Sequence, residues 1–139
     1  MVQLIVGEKG KGKTKYLLDK VNSEIKQVAG NIVYLDKSTK HMFELNNKVR
    51  LIDVSDYMID SCDAFLGFVS GIISQDHDLQ QMYFDSFVNI AKLENQSILT
   101  VVNKLEALSA KFDVDFILSA SINEENLEDE LKSKIIVSL

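Results

Sequence analysis

The sequence predicts a three-layer α/β/α domain built on a mainly parallel sheet of five to six strands. Three observations carry that prediction. Short apolar runs alternate with segments of helical period along the whole chain, the pattern of strand–helix–strand units. The runs are apolar at successive positions rather than at every second one, as strands covered on both faces are. The 139 residues, 46% of them hydrophobic, suit a single domain over 1–139 with one sizeable core.

Residues 2–6 (Val-Gln-Leu-Ile-Val) read as a buried strand that stops at a glycine-rich turn. From Lys13 to about Val28 a helix is expected, because Tyr16, Leu17, Val21, Ile25 and Val28 recur at three- and four-residue spacing and Gly30 closes it. Residues 31–36 and 49–53 read as the second and third strands, with a polar loop and a short helical turn between them. A helix follows from Tyr57 to about Ser74. Gly67 and Gly71 weaken it by about 1 kcal/mol each relative to Ala, and their four-residue spacing puts both on one face, open to a close neighbour. Residues 81–85 are the fourth strand, and a long helix runs from about Glu94 to Phe112 on a stripe of Ile98, Val101, Val102, Leu105, Leu108 and Phe112. The fifth strand covers 114–120. Glu124 to Leu131 is expected as a short helix capped by Asn123, and 134–139 as the sixth strand.

Fifteen Lys plus Arg against 21 Asp plus Glu give a formal charge of −6, which argues against a general nucleic-acid or anionic-membrane binder. One cysteine, Cys62, excludes an internal disulfide and a Cys-rich zinc site; without a basic neighbour it reads as a packed residue. His41 and His77 lie far apart in polar loops with no Cys or acid at ligand spacing, so no histidine metal site is expected. There is no charged-then-apolar leader and no run of about 18 apolar residues. The expectation is a cytoplasmic protein without membrane insertion. The acidic run 124–130 reads as a solvated helix face.

The chemistry sits in Gly7-Glu8-Lys9-Gly10-Lys11-Gly12-Lys13-Thr14, with Lys15 following. This fits G-x-x-x-x-G-K-[ST], after a buried strand and at the start of an amphipathic helix, where that pattern has meaning. Glycines let a polyphosphate approach bare backbone, whose successive N–H groups form an anion nest. The helix adds its positive end. Lys13 would place its ammonium on the β- and γ-phosphates, and the Thr14 hydroxyl would complete a Mg²⁺ shell. Lys9, Lys11, Lys13 and Lys15 raise the local positive potential.

This segment resembles the P-loop NTPase superfamily, and the extra glycine at Gly10 is similar to the loops of RecA-like, AAA-like and secretion-motor ATPases. The resemblance implies an acid that ends another strand and organises Mg²⁺. It also implies a polar sensor ending a strand between that one and the phosphate-loop strand. Asp85, after Met82-Tyr83-Phe84, is the leading candidate for the acid, with Asp53 and Asp36 as alternatives; Ser119 or Ser121 would be the sensor.

Active members of that branch usually carry a Glu directly after the metal-organising Asp, where this chain has Ser86. Glu94 is a distant substitute and reads better as a first-turn helix acid. Arg50 is the only arginine, so at most one guanidinium could neutralise a transferring phosphoryl group, a contribution worth factors of thousands. A small-molecule kinase, which clamps two sets of phosphates with several arginines, fits poorly for the same reason. Asn103-Lys104-Leu105-Glu106 and Ser119-Ala120-Ser121 resemble the guanine-reading motifs of GTPases. Against that, Glu106 is one carbon too long, the interval from 103 to 119 is short for the intervening helix, and no D-x-x-G is present. The expected activity is Mg²⁺-ATP binding with slow or partner-dependent hydrolysis, the partner being another protein or a second copy of the chain. The alternative is a non-hydrolysing module whose nucleotide state switches a partner surface.

Overall fold

A six-stranded, all-parallel sheet organises residues 1–139 of the computed structural model. The elements in chain order are β1 (Val2–Val6), α1 (Lys13–Glu24), β2 (Asn31–Asp36), β3 (Arg50–Asp53), α2 (Cys62–Gln75) and β4 (Leu79–Phe84). Then come α3 (Phe87–Ile90), α4 (Leu99–Phe112), β5 (Asp115–Ala120), α5 (Asp129–Lys132) and β6 (Ile135–Ser138). The strands lie in the order β3-β2-β4-β5-β1-β6. No helix is long and apolar enough to cross a membrane.

Successive residues of each central strand feed two different cores. Leu4 and Val6, Val33 and Leu35, Met82 and Phe84, and Phe116 and Leu118 pack on one face with Phe65 and Val69 of α2 and Val102 and Leu105 of α4. Ile5, Ile32, Tyr34, Tyr83 and Ile117 pack on the other face with Leu17, Leu18 and Val21 of α1. Both faces are covered, so three layers result and the strand sequences read as unbroken apolar runs.

The direction of travel decides which face each connection takes. From β1 to β2 to β3 the chain moves towards the β3 edge, and α1 and Leu45 lie on one face. From β3 to β4, β5 and β6 it moves back, and α2, α4 and Leu131 of α5 lie on the other. Crossovers of one common hand require this split.

Several expected boundaries move. α1 ends at Glu24 rather than near Val28, and the chain continues in turns through Gln27. α2 begins at Cys62, where Ser61 Oγ accepts from the Ala64 amide at 3.1 Å, so the residues from Tyr57 are not helical. Gly67 and Gly71 face open space with nothing within 4 Å of where a Cβ would stand, so no other part of this chain takes up the opening they leave. The long helix expected from Glu94 is two pieces: α3 comes first, Glu94 lies exposed in a turn, and α4 starts at Leu99. Ser97 Oγ accepts from the Leu99 amide at 3.1 Å and starts that helix locally. The acidic segment splits into a 3-10 turn (Glu124–Asn126) and α5, and Asn123 donates to Glu8 Oε1 at 3.1 Å instead of capping a helix.

Candidate functional site

The glycine-rich loop joins β1 to α1, and its conformation depends on its glycines. Gly10 and Gly12 take φ of +85° and +92°, a region that costs other L-residues strain. A Cβ on Gly7 would stand 2.8 Å from the Leu139 carbonyl oxygen. Of the loop amides, Gly7 donates to Ile122 O at 3.0 Å and Lys11 to Glu8 O at 3.3 Å. The amides of residues 8–10 and 12–15 donate to no backbone oxygen and to no side chain. Five of those residues, Lys9, Gly10, Gly12, Lys13 and Thr14, border a cavity of about 310 Å³ that has no hydrophobic residue in its wall. A larger hollow of about 480 Å³ near Val88, Leu93 and Ile122 has no cationic residue in its wall, so volume does not decide the site.

Lys13 is buried to 8% exposure, and its Nζ donates to the Glu8 carbonyl at 2.9 Å. Burial lowers the pKa of this ammonium, and Asp85 opposes the shift. The first turn of α1 therefore presents its cation in a partly desolvated setting beside free amides.

Asp85 follows β4 directly and is 3% exposed. Its amide donates to Leu35 O at 2.9 Å, which ties the end of β4 to β2. Thr14 Oγ1 and Ser119 Oγ each donate to Asp85 Oδ1 at 3.1 Å, and the Tyr34 hydroxyl donates to Oδ2 at 2.8 Å. Ser86, at φ +57°, turns the chain so that its amide donates to Ser119 Oγ at 2.9 Å. Burial, then the Asp85 charge, pushes the Tyr34 phenol well above its ordinary pKa, so it remains a donor. Three donors thus hold the carboxylate in one orientation.

Asp36, at the end of β2, reaches the same cavity. It is 2% exposed; its Oδ1 accepts from the Lys37 amide at 2.7 Å, while its Oδ2 is buried with no hydrogen-bond partner. Burial and the neighbouring Asp85 push the Asp36 carboxyl up to about 6. One ligand atom from each of Asp36, His41 and Asp85 lies within 4.8 Å of the others.

Of the residues singled out in the sequence, Lys9, Gly10, Gly12, Lys13, Thr14, Asp36, Asp85, Ser86, Ser119 and Ser121 border the cavity. Gly7, Glu8 and Lys11 shape the loop without bordering it, and Lys15 points outward to pair with Asp19 at 3.4 Å. Between the two serines, only Ser119 bonds Asp85. Asp53 is not near the loop: β2 separates its strand from β4, and its Oδ1 accepts from the Ser55 amide and hydroxyl. Arg50 begins β3, at the end of the sheet away from the cavity.

The guanine-like residues are not assembled. Asn103 and Glu106 lie on α4, and Glu106 accepts from the Val2 amide at 2.9 Å and from Lys134 Nζ at 2.8 Å, at the start of β1. His77 lies exposed between α2 and β4, and burial raises the pKa of the half-buried Cys62 thiol. Sequence reading missed Tyr34, set His41 aside as a ligand, and gave Asp36 only as an alternative to Asp85. The available signal was a strand ending in Asp36 followed by the polar segment Lys37-Ser38-Thr39-Lys40-His41.

Comparison with known family models and with curated proteins returns no match for this chain.

Proposed function

We propose that this chain binds a nucleoside triphosphate with Mg²⁺ at the loop after β1, as a member of the P-loop NTPase superfamily, and hydrolyses it slowly or with a partner's help. One observation carries the reading: amides without a protein acceptor border the same cavity as Lys13, Thr14 and Asp85. Unpaired amides at a helix N-terminus behind left-handed glycines favour phosphate oxygens. The strand order supports the same reading, since β5, carrying Ser119, lies between β1 and β4, as the superfamily resemblance implies.

The residues present fit a Mg²⁺-nucleotide. Thr14 and Asp85 would hold the ion, directly or through water, and Lys13 would pair with the phosphates. The ion's chemistry there is neutralisation of phosphate charge. Ser119 and Tyr34 keep the Asp85 carboxylate oriented. ATP rather than GTP is the nucleotide of this reading because the guanine-like residues lie on α4 at the far end of the sheet and are not available to read a base in the cavity.

The test is titration of labelled ATP and GTP, with Mg²⁺, into wild type and Lys13→Ala. ATP binding by wild type that vanishes in the variant, with unchanged circular dichroism, is the expected result. Equal ATP affinity in both refutes the site. Ser86 in place of Glu, with its amide committed to Ser119, favours a second reading, a non-hydrolysing module. Tight ATP binding with no phosphate release, alone or with candidate partners, would select it.

A further inference from the structure

We propose that Asp36, His41 and Asp85 form a binding site for a divalent first-row transition cation of the Mn²⁺ or Co²⁺ kind. The three side chains come from different places: the ends of β2 and β4, and the loop that leaves β2. Their ligand atoms lie within 4.8 Å of one another. Two carboxylate oxygens and an imidazole nitrogen are a mixed donor set, harder than the zinc-finger type and softer than the all-oxygen shell of Mg²⁺ or Ca²⁺. Such a set leaves room for water or another ligand in an octahedral shell.

The second observation is that the cluster is incomplete as it stands. Asp36 Oδ2 is buried and has no hydrogen-bond partner, while its neighbours reach the cavity. Buried polar atoms are paired in nearly all proteins, and an exception calls for an ion, a water or a proton. Neither Asp36 nor Asp85 belongs to an ion pair; the pairs of the chain lie elsewhere. Two adjacent buried carboxylates repel, and a shared cation relieves both desolvation and repulsion. Lys13, the buried lysine of the same cavity, donates its Nζ to the Glu8 carbonyl, and Lys37, next to Asp36, makes no ion pair with it.

His41 has an acidic neighbour one turn along the chain. Glu44 Oε1 lies 3.5 Å from its Nδ1. A proton held at Nδ1 towards that carboxylate leaves Nε2 as the ring's lone pair, the usual carboxylate–histidine–metal arrangement. The 3-10 turn Met42–Glu44 sets that spacing. The cluster shares Asp85 with the Mg²⁺ proposed above but needs neither Thr14 nor a nucleotide, so its failure and the failure of that reading are told apart by metal titration without nucleotide.

The experiment is titration of CoCl₂ into nucleotide-free, EDTA-stripped protein, read by visible d–d absorption and by calorimetry, with MgCl₂ titrated in parallel. Wild type is expected to take up one equivalent of Co²⁺ and to prefer it to Mg²⁺. Asp36→Asn and His41→Ala should each weaken Co²⁺ by at least about 10-fold, and His41→Ala should change Mg²⁺ binding by less than about 3-fold. Lys13→Ala should keep Co²⁺ binding whatever happens to its nucleotide binding. No uptake by wild type, or Co²⁺ affinity in His41→Ala and Asp36→Asn equal to wild type with native circular dichroism, overturns the proposal. Equal affinity of wild type for Co²⁺ and Mg²⁺ overturns it too.

Discussion

Asp36 should make the metal-free protein less stable than it could be, and Asp36→Asn should reverse that. The carboxyl is 2% exposed, with one oxygen unpartnered and Asp85 beside it. Raising it from the ordinary 3.8 to about 6 corresponds to about 3 kcal/mol of penalty on the folded state once the group is ionised. In the unfolded chain the group loses its proton near 3.8. Between there and 6 the folded state therefore holds the extra proton, and stability falls as pH rises. Below about 4 both states are protonated and the penalty is gone. Asparagine keeps the shape and the acceptor for the Lys37 amide, now at 2.7 Å, and removes the charge. Urea denaturation in EDTA should find Asp36→Asn more stable at pH 7.5 by up to about 3 kcal/mol, or up to about 10 °C in Tm, with the amide at the unpartnered Oδ2 position offsetting part of the gain. The difference should shrink through pH 6 and vanish near pH 4. A variant no more stable than wild type at pH 7.5, or a gap unchanged in acid, would refute the reasoning.

Gly67→Ala and Gly71→Ala should each raise stability by up to about 1 kcal/mol, since a Cβ at either meets nothing within 4 Å; thermal melts that show a loss would mean this face of α2 is covered. Gly30→Ala should do the opposite and cost about 2 kcal/mol or more, because its Cβ would stand 2.0 Å from the Asp78 carbonyl oxygen; the same melts decide. Glu106 is desolvated, yet its bonds from Lys134 and the Val2 amide bring its pKa below the ordinary value. It therefore contributes stability above the unfolded carboxylate range that is lost as pH falls through its folded pKa, and Glu106→Gln should cost about 1 kcal/mol at pH 7 and less in acid, read by urea titration. Phe84→Ala, at the centre of contacts with Phe65, Phe87 and Phe116, should cost about 3–5 kcal/mol, measured by urea denaturation at pH 7.

The strands were legible because burial on both faces leaves a compositional trace: Ile32-Val33-Tyr34-Leu35 and Phe116-Ile117-Leu118 have no polar residue to hide them. Helix starts were harder. The apolar residues Tyr57, Met58 and Ile59 read as part of the helix, yet Ser61 caps it later, and a cap is a local hydrogen bond that apolar content cannot reveal. Glycine spacing on α2 suggested a contact that depends on what lies opposite, and nothing in this chain does. The phosphate-like loop was legible as a contiguous motif. Its partners were only partly so, because Asp36, Asp85 and Ser119 meet across strands that the sequence keeps 49 and 34 residues apart.

What brings those three together is the parity of the strands. The register pairs Leu35 with Phe84 and Phe84 with Leu118 across three adjacent strands, and all three side chains are buried with α2 and α4. The next residue of each strand must point to the opposite face. Those next residues are Asp36, Asp85 and Ser119, and the opposite face is the one α1 covers. α1 begins at the end of β1 with Lys13 and Thr14, so its first turn meets the polar row where Thr14 bonds Asp85. The crevice also falls where connections leave adjacent strands towards opposite faces, since β1 leads to α1 while β5 leads to α5. A slip of one residue in β4 would turn Asp85 into the aromatic core and Phe84 into the cavity. The apolar alternation that builds the two cores is therefore also what aims the acids.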